Sequence, residues 1–382
     1  MKKEKKMLNI KNMNPTNFKK YIYEKNVFIF GAGRALDSCL DIYFKDNKVN
    51  KIVDNNSSLW GNYVENGLDK IEIINKERFV AEVKRLGVSN TVLLITSPFY
   101  AAEIVEDLDK YSELDGLECF LQVIIRNTFE EILPYTFTSG KSIIPKKIHY
   151  IWIGKKELPV QFVKNIETWK IYNPDYEIIR WDETNYDFNK CAYLREAYEN
   201  QAWGFATNYA RLDIIHKYGG IYLDTDVEVI HNLDVLLKDK AFFNMGCSER
   251  VNNGCGFGAV KNCSIVRDIM SEYEQAHFIS QSGKLIKKQA HIYLNRVLKQ
   301  YGFNIVNQYQ NINGIVLYPS EVMSPLTIEG MSNMFSDKTL SIHKEEGSWK
   351  SEEQKKGYIK LQKIINDRIT DSYSCKKGNC ND

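Results

Sequence analysis

The chain has 382 residues, enough for two or three domains at roughly 150 residues each. Apolar residues make up 43% and charged residues 26%, which is typical of a soluble globular protein and excludes a mainly disordered chain. The formal net charge of +2 gives no support to a protein that coats nucleic acid, so no nucleic-acid partner is predicted.

The first twenty residues are basic and predict a disordered leader over residues 1–20. The opening MKKEKKMLNIKNMN is followed by no apolar stretch, so it is not a secretory signal. No uninterrupted apolar run approaches the ~18 residues of a membrane helix. We therefore expect a cytoplasmic protein whose membrane contact is at most peripheral, at the inner face.

Cysteine spacing argues against a zinc site. The eight cysteines include no CxxC pair, and the evenly spaced Cys247, Cys255 and Cys263 have no histidine partner nearby. Reduced thiols are the expected state.

Residues 21–135 alternate apolar strand runs with helical segments. VFIF, KIV and TVLLI are separated by ALDSCLDIYFKD and KERFVAEVKRLG, YAAEIVEDLDKY follows, and ECFLQVII reads as a last strand. Strand runs joined by helices of this length predict a parallel sheet with right-handed crossovers. We predict a small Rossmann-like α/β module here.

This module carries part of a nucleotide-binding pattern. Gly31 and Gly33, followed by Arg34, could let a phosphate approach the next helix, and Asp54 stands where a ribose-binding acid would sit. The third glycine of GxGxxG is replaced by Leu36. The region resembles Rossmann-like modules fused to some bacterial sugar-polymer enzymes. Two interpretations stay open: an NAD(P) site, and a degenerate or regulatory module.

The second half, residues 141–360, predicts another α/β domain, with a polar tail over residues 361–382. KIHYIWIG reads as a buried strand, and the helix Phe205–Tyr218 ends at Gly219-Gly220. A short strand, IYL, then delivers Asp224-Thr225-Asp226. Two carboxylates one residue apart at a strand end can converge on one ion, and hard oxygens suit Mg²⁺ or Mn²⁺.

Three motifs in order carry a family resemblance. IPKKIHYIWIG, ATNYARLDIIHKYGGIYLDTD and SIHKEEGSW, over about residues 143–350, resemble the DxD-containing sugar transferases. That group includes yeast-type initiating mannosyltransferases and bacterial capsule transferases, with clostridial glucosylating toxins as distant relatives. The resemblance implies a GT-A fold, a nucleotide-sugar donor, a divalent cation and retention of anomeric configuration.

The resemblance also implies donor-binding residues. Trp152 would stack on the base, a contact worth ~1–3 kcal/mol, although a core tryptophan is the plainer alternative. Ile153, Gly154 and Tyr222 would line the same donor site.

Metal and lid residues follow from the resemblance as well. Asp226 would bind the ion directly, and Asp224 would reach the ribose or the ion through water. His343 would supply a further ligand, while Ser348 and Trp349 would cover the diphosphate.

Asn208 and Arg211 lie one helical turn apart and point to one side. In similar proteins an Asp and an Arg at these positions hold the transferred sugar's hydroxyls. Asn208 replaces the Asp here, which predicts an altered grip on the sugar or weaker catalysis. Gly254, Gly256 and Gly258 predict either close backbone approach beside the acceptor or an ordinary strand and turn.

The sequence therefore predicts an α/β protein, a GT-A-type transferase domain preceded by a Rossmann-like module. The predicted reaction is metal-dependent, retaining transfer of a hexose from a nucleotide sugar, with UDP-sugar favoured over GDP-mannose. The predicted acceptor is a hydroxyl of a surface polysaccharide or lipid-linked oligosaccharide. Two alternatives stay open: a nicotinamide-dependent sugar-modifying enzyme, and a non-catalytic sugar-nucleotide-binding scaffold.

Overall fold

The computed structural model describes residues 7–33, 35–67, 69–127, 131–246, 250–326, 334–344 and 352–369. The chain divides into two compact units. Of the described residues, 7–127 and 352–369 belong to unit 1, and 131–326 and 334–344 belong to unit 2. Each unit has its own β-sheet, so the predicted α/β class is confirmed.

Unit 1 is built on a sheet of seven described strands in the order β1-β7-β6-β2-β3-β5-β4. All neighbours are parallel except β4 and β5. The strands are β1 Asn9–Lys11, β2 Asn26–Phe30, β3 Lys51–Val53, β4 Tyr63–Asn66, β5 Asp69–Ile74, β6 Thr91–Ile95 and β7 Glu118–Leu121. The helices that link and follow them are α1 Pro15–Tyr21, α2 Ala35–Tyr43, α3 Lys76–Leu86, α4 Ala101–Leu108 and α5 Gln122–Asn127.

Local sequence explains most of these elements. The apolar runs of the central strands β2 and β6 are buried at every position, as expected for strands of a parallel sheet that is covered on both faces. Helix α3 begins where the Asn75 side chain accepts a hydrogen bond from the Arg78 N–H, and it ends at Gly87. The predicted strand ECFLQVII is half right, because its second part is helix α5.

The prediction of a disordered leader is wrong for its described part. Strand β1 pairs in parallel with β7, and Phe18 of α1 is fully buried. The backbone N–H of Leu8 donates to Asp109 Oδ1 at 2.9 Å. Leu8 and Ile10 alternate with exposed residues and are buried against the sheet. Because the surrounding sequence is rich in lysine, the composition did not indicate this edge strand.

Unit 2 contains a mixed sheet of seven described strands in the order β14-β15-β12-β13-β10-β8-β9, and a separate antiparallel pair, β11 with β16. The strands are β8 Lys147–Ile151, β9 Glu177–Trp181, β10 Gly220–Tyr222, β11 Val227–Val229, β12 Ala241–Asn244, β13 Phe257–Ala259, β14 Gln310–Ile312, β15 Ile315–Tyr318 and β16 Ser341–His343. The helices are α6 Val160–Tyr172, α7 Ala192–Glu199, α8 Trp203–Tyr218, α9 Ser264–Glu274 and α10 Ala290–Gln300.

The last helix, α11 Glu352–Arg368, returns to unit 1. Arg368 pairs with the buried Asp109, and Tyr358 packs edge-on against Phe99 with ring centroids 5.2 Å apart. The predicted boundary at residue 360 therefore falls inside a helix, and residues 361–368 are not a fraying tail. The helix has a buried apolar side that its lysine-rich composition obscured. No helix in the described ranges is both long and apolar enough to cross a membrane.

Candidate functional site

The candidate site lies beyond the carboxyl end of β10. Helix α8 stops at Gly219, and Gly220 begins β10, which lies between β8 and β13. A Cβ atom on Gly220 would stand 2.8 Å from the Lys147 carbonyl oxygen, so glycine is required for the chain to turn this closely. The strand ends at Tyr222, and the Asp-Thr-Asp segment follows after Leu223.

Asp224 is held by three groups. Tyr222 Oη donates to its Oδ1 at 2.9 Å, Arg211 Nη2 lies 3.2 Å from the same oxygen, and its backbone N–H donates to the Gly254 carbonyl. A Cβ on Gly254 would stand 2.3 Å from Asp224 Oδ2, so the backbone of this glycine closely approaches the Asp224 side chain. Burial raises the pKa of Asp224, while Arg211 opposes that rise and Asp226 adds to it.

Arg211 is itself buried, with 5% of its surface exposed. Its Nε donates to the Thr207 carbonyl at 3.1 Å and its Nη2 to the Thr207 hydroxyl at 3.2 Å. Its guanidinium also lies 4.7 Å from the Tyr222 ring centroid. These contacts direct the guanidinium at Asp224, a role that the sequence analysis did not foresee when it assigned Arg211 to the sugar.

Asp226 and His343 meet through the second, smaller sheet. Pairing of β11 with β16 sets Val227 opposite His343, and His343 Nε2 lies 3.2 Å from Asp226 Oδ1. The backbone N–H of Lys344 donates to the Asp226 carbonyl at 3.1 Å. Asn252 Nδ2 is 3.3 Å from His343 Nδ1. The late histidine, 117 positions after Asp226 in sequence, is thus a neighbour in space.

Asp224, Asp226 and His343 together form a cluster with the chemistry of a metal site. One potential ligand atom from each lies within 4.8 Å of the other two. An ion with ligand distances of about 2.0–2.6 Å spans a similar width between opposite ligands, so the separations fit one ion. The two carboxylates suit Mn²⁺ or Mg²⁺, whereas the imidazole is a ligand typical of transition-metal ions. Within the described ranges this is the one such group of His, Cys, Asp or Glu.

The predicted donor residues lie at the same edge of the sheet. Trp152 follows β8, the parallel neighbour of β10, and is partly exposed, with its ring against Phe162 and its Nε1 donating to the Lys156 carbonyl at 2.7 Å. Ile153 is a core residue, so only its backbone is available for a ligand. Tyr222 is also buried, and its hydroxyl is directed at Asp224.

Gly154 and Asn208 are two further residues that the sequence analysis assigned to the site. The Gly154 N–H donates to Glu183 Oε1 at 2.8 Å, a partner that no motif indicated. Asn208 lies on α8 three positions before Arg211 and is 9% exposed. Gly256 and Gly258 pack inside unit 2, beside Met323 and Phe242. Ser348 and Trp349 lie outside the described residues.

The predicted nucleotide residues of unit 1 follow β2 and β3 at the carboxyl edge of its sheet. The Asp54 carboxylate accepts hydrogen bonds from the N–H groups of Ala32 and Asn56, each at 2.8 Å. Both of its oxygens are thereby used in tying the turn after β2 to the end of β3. Gly31 donates its N–H to the Val53 carbonyl, and Arg34 lies outside the described residues.

Several residues of the site were missed by the sequence analysis. Asn252 and Asn253 stand in the NNGCGFGA segment, where only the glycines were singled out. Asn253 Oδ1 accepts from Arg211 Nη1 at 3.4 Å, and Asn252 contacts His343. The available signal was the pair of asparagines before the glycines, since amide side chains there can bond to neighbouring loops.

Comparison with known proteins supports the family resemblance. Residues 159–243 match the family described as glycosyltransferase sugar-binding region containing DXD motif. The chain is 32% identical over 126 residues to inositol phosphoceramide mannosyltransferase 3 of Schizosaccharomyces pombe, covering 32% of this chain and 35% of that protein. It is 29% identical over 180 residues to mannosyl phosphorylinositol ceramide synthase CSH1 of Saccharomyces cerevisiae, covering 45% and 46%.

The chain thus spans between a third and a half of the length of these two relatives. Among solved structures, the PaToxG glycosyltransferase superposes with a TM-score of 0.33 and 19% identity, over 41% of this chain and 69% of that one. The predicted resemblance to DxD-containing sugar transferases is confirmed, and the matched segment contains both aspartates and Arg211.

Proposed function

We propose that this protein is a metal-dependent glycosyltransferase that moves a hexose from a nucleotide sugar to a hydroxyl group. The observation that carries the proposal is the convergence of Asp224, Asp226 and His343 beside the buried Arg211, at the end of β10. A lone DxD is common, but here two segments distant in sequence, Asp224–Asp226 and His343, bring their ligand atoms together.

The charge demand of sugar transfer explains the need for this cluster. Breaking the bond between the anomeric carbon and phosphate loads negative charge on the leaving diphosphate. Asp224, Asp226 and His343 would hold a divalent ion, whose charge stabilises that diphosphate by about 4 kcal/mol per unit-charge pair at 4 Å and an effective dielectric of 20. Arg211 holds Asp224 in place, and its guanidinium opposes the rise in the pKa of Asp224 that desolvation causes.

We propose retention of configuration through a front-face route. In such a route a departing phosphate oxygen accepts the acceptor's proton, so no enzyme base is required. The described carboxylates fit this route, since Asp224 is engaged by Arg211 and Tyr222 and Asp226 by His343. Both carboxylates are assigned to the ion, so neither serves as the base.

Donor and acceptor are proposed by chemical class. A UDP-sugar is the favoured donor, and GDP-mannose is tested beside it because mannose stands in the names of the yeast relatives. A glycan or lipid-linked acceptor agrees with the inositol phosphoceramide in those names. Reaction at a membrane surface would follow from a lipid-linked acceptor. In unit 1, the third glycine of the nucleotide-binding pattern is replaced by Leu36, which favours a transferase over a nicotinamide enzyme.

The testing experiment is nucleotide release from a panel of UDP- and GDP-sugars with Mn²⁺, Mg²⁺ or EDTA. We expect at least one donor to release its nucleotide, and we expect this release to require the divalent ion. When no acceptor is present, the release reports slow hydrolysis of the donor instead of transfer. Donor binding without any turnover, across the panel and with glycan acceptors added, would establish the non-catalytic alternative. Ion-independent turnover would contradict the metal assignment.

A further inference from the structure

Helix α6 contacts one edge of β11 with a series of polar side chains. Strand β11 pairs with β16 along its other edge. On the side that faces α6, side chains of the helix and of Asn173, its C-terminal cap residue, form hydrogen bonds with backbone groups of residues 225–233. The bonds are Asn165 Nδ2 to the Thr225 carbonyl at 2.9 Å, Trp169 Nε1 to the Val227 carbonyl at 2.8 Å, the Val229 N–H to Thr168 Oγ1 at 3.0 Å, and the Leu233 N–H to Asn173 Oδ1 at 2.8 Å.

These side chains take the place of a neighbouring strand. A strand edge presents unpaired backbone groups, and a buried one must find partners. Because side chains supply them here, α6 sets the position of the whole segment from Thr225 onward. These contacts are distant in sequence: Asn165 and Thr225 are 60 positions apart, and Trp169 and Val227 are 58 positions apart.

Asn165 stands nearest the cluster and uses both ends of its amide. It is 1% exposed. Its Nδ2 donates to the carbonyl of Thr225, the residue between the two aspartates, and its Oδ1 accepts from Lys344 Nζ at 3.0 Å. The same Nζ pairs with Glu228 Oε2 at 2.8 Å.

The two partners of Asn165 belong to the two halves of the cluster. Thr225 is flanked by both aspartates, and Lys344 follows His343 directly. The Lys344 backbone N–H also donates to the Asp226 carbonyl at 3.1 Å. One buried amide therefore links the DxD turn to the strand that carries the histidine, and its rotation would loosen both.

We propose that Asn165 is a positioning residue that holds Asp226 and His343 at the separation a divalent cation requires. The inference rests on the proposed function, since it concerns the same ion. Groups that orient metal ligands typically contribute ten- to hundredfold in metal affinity. Ordinary core packing would instead contribute to folding stability alone.

The test is Mn²⁺ affinity measured by electron paramagnetic resonance on the full chain, without donor. Asn165→Ala is compared with Asn173→Ala, a matched variant at the C-terminal end of the same helix. Asn173 is also 1% exposed, and its amide bonds to the Leu233 N–H and the Trp169 carbonyl, neither of which belongs to the cluster. Thermal unfolding of both variants is recorded beside the affinities.

We expect both variants to lose stability, and only Asn165→Ala to lose Mn²⁺ affinity, by about ten- to hundredfold. Equal affinities in the wild type and Asn165→Ala, or equal losses in the two variants, would overturn the positioning role while leaving the proposed function intact. If the wild type binds no Mn²⁺ or Mg²⁺, the metal assignment and this inference fall together.

A second variant covers the case in which Asn165→Ala does not fold. Lys344→Ala removes only the Lys344 side of the link, and that side chain is 26% exposed, so its loss leaves the core intact. We expect a several-fold weaker Mn²⁺ affinity with an unfolding temperature near that of the wild type. Unchanged affinity in this variant would contradict the proposed link through Lys344.

Discussion

Arg211 and Asp224 form an ion pair at the inner end of the cluster, with Nη2 and Oδ1 3.2 Å apart. The arginine is almost fully buried, whereas the Asp224 side chain keeps 29% of its surface exposed. The pair therefore directs a carboxylate from the protein interior toward solvent, where an ion or a donor can meet it. The arrangement explains how one residue of the DxD motif stays in place in a short loop.

Replacing Arg211 with lysine is expected to impair transfer although the charge is kept. A single ammonium cannot reach Thr207 and Asp224 in the way that the planar guanidinium does. We expect kcat/KM to fall about a hundredfold, as for loss of one well-placed stabilising group, together with weaker Mn²⁺ binding. Arg267→Lys, on α9, serves as control. Full Mn²⁺ affinity with altered sugar preference would assign Arg211 to the sugar instead.

Asp226→Asn is expected to abolish ion-dependent transfer while the fold persists. The amide has the same shape but lacks the negative charge that a divalent cation requires, and the loss should be about 3–4 kcal/mol of barrier or more. Nucleotide release and circular dichroism measure the two effects. Asp175→Asn, at a surface ion pair with Lys146, should behave like the wild type. Normal turnover in Asp226→Asn would refute the metal assignment.

Trp152→Ala is expected to weaken donor binding by an order of magnitude or more. A base stacked on the partly exposed indole would lose about 1–3 kcal/mol. Titration calorimetry with the active donor measures the change. Trp60→Ala, which removes a 42%-exposed tryptophan from unit 1, is the matched control. An unchanged dissociation constant would mean that Trp152 only packs against Phe162.

The stability of unit 2 is expected to fall with acid because of His149. Its ring is fully buried, bonded to the Gly219 carbonyl and to Trp181 Nε1, and burial lowers the pKa of His149 from 6.5 to about 4. Above pH 6.5 both folded and unfolded states hold a neutral imidazole, so this group causes no pH dependence. Between 6.5 and 4 only the unfolded state takes the proton, which costs up to about 3 kcal/mol of stability.

Urea unfolding at several pH values, followed by tryptophan fluorescence, measures this dependence against His149→Gln. The glutamine amide can donate and accept as the imidazole does but cannot take a proton. The difference between the two proteins should therefore change by about 3 kcal/mol between pH 7 and pH 4. Parallel curves would show that His149 does not titrate in this way.

Much of the fold was predictable because the responsible patterns are local. The apolar runs of β2 and β6 and the glycines after α8 act on the few residues beside them, so their effects are visible in sequence. The leader and the last helix were mispredicted because their apolar residues are few and lie among lysines. Leu8 and Ile10 are recognisable as buried sheet residues only because β1 pairs with β7. The buried side of α11 is likewise recognisable only because this helix packs against α4.

From the sequence alone one could read the DxD motif, the late histidine and the order of the motifs that resemble sugar transferases. Tertiary structure decided which side chains hold these groups in place. Asn165 and Lys344 are 179 positions apart, and Asn252 and His343 are 91 apart. The sequence does not show whether the amide of an asparagine bonds to solvent or to a buried backbone carbonyl. Only the packing of α6, β11 and β16 excludes water there and makes the protein partners obligatory.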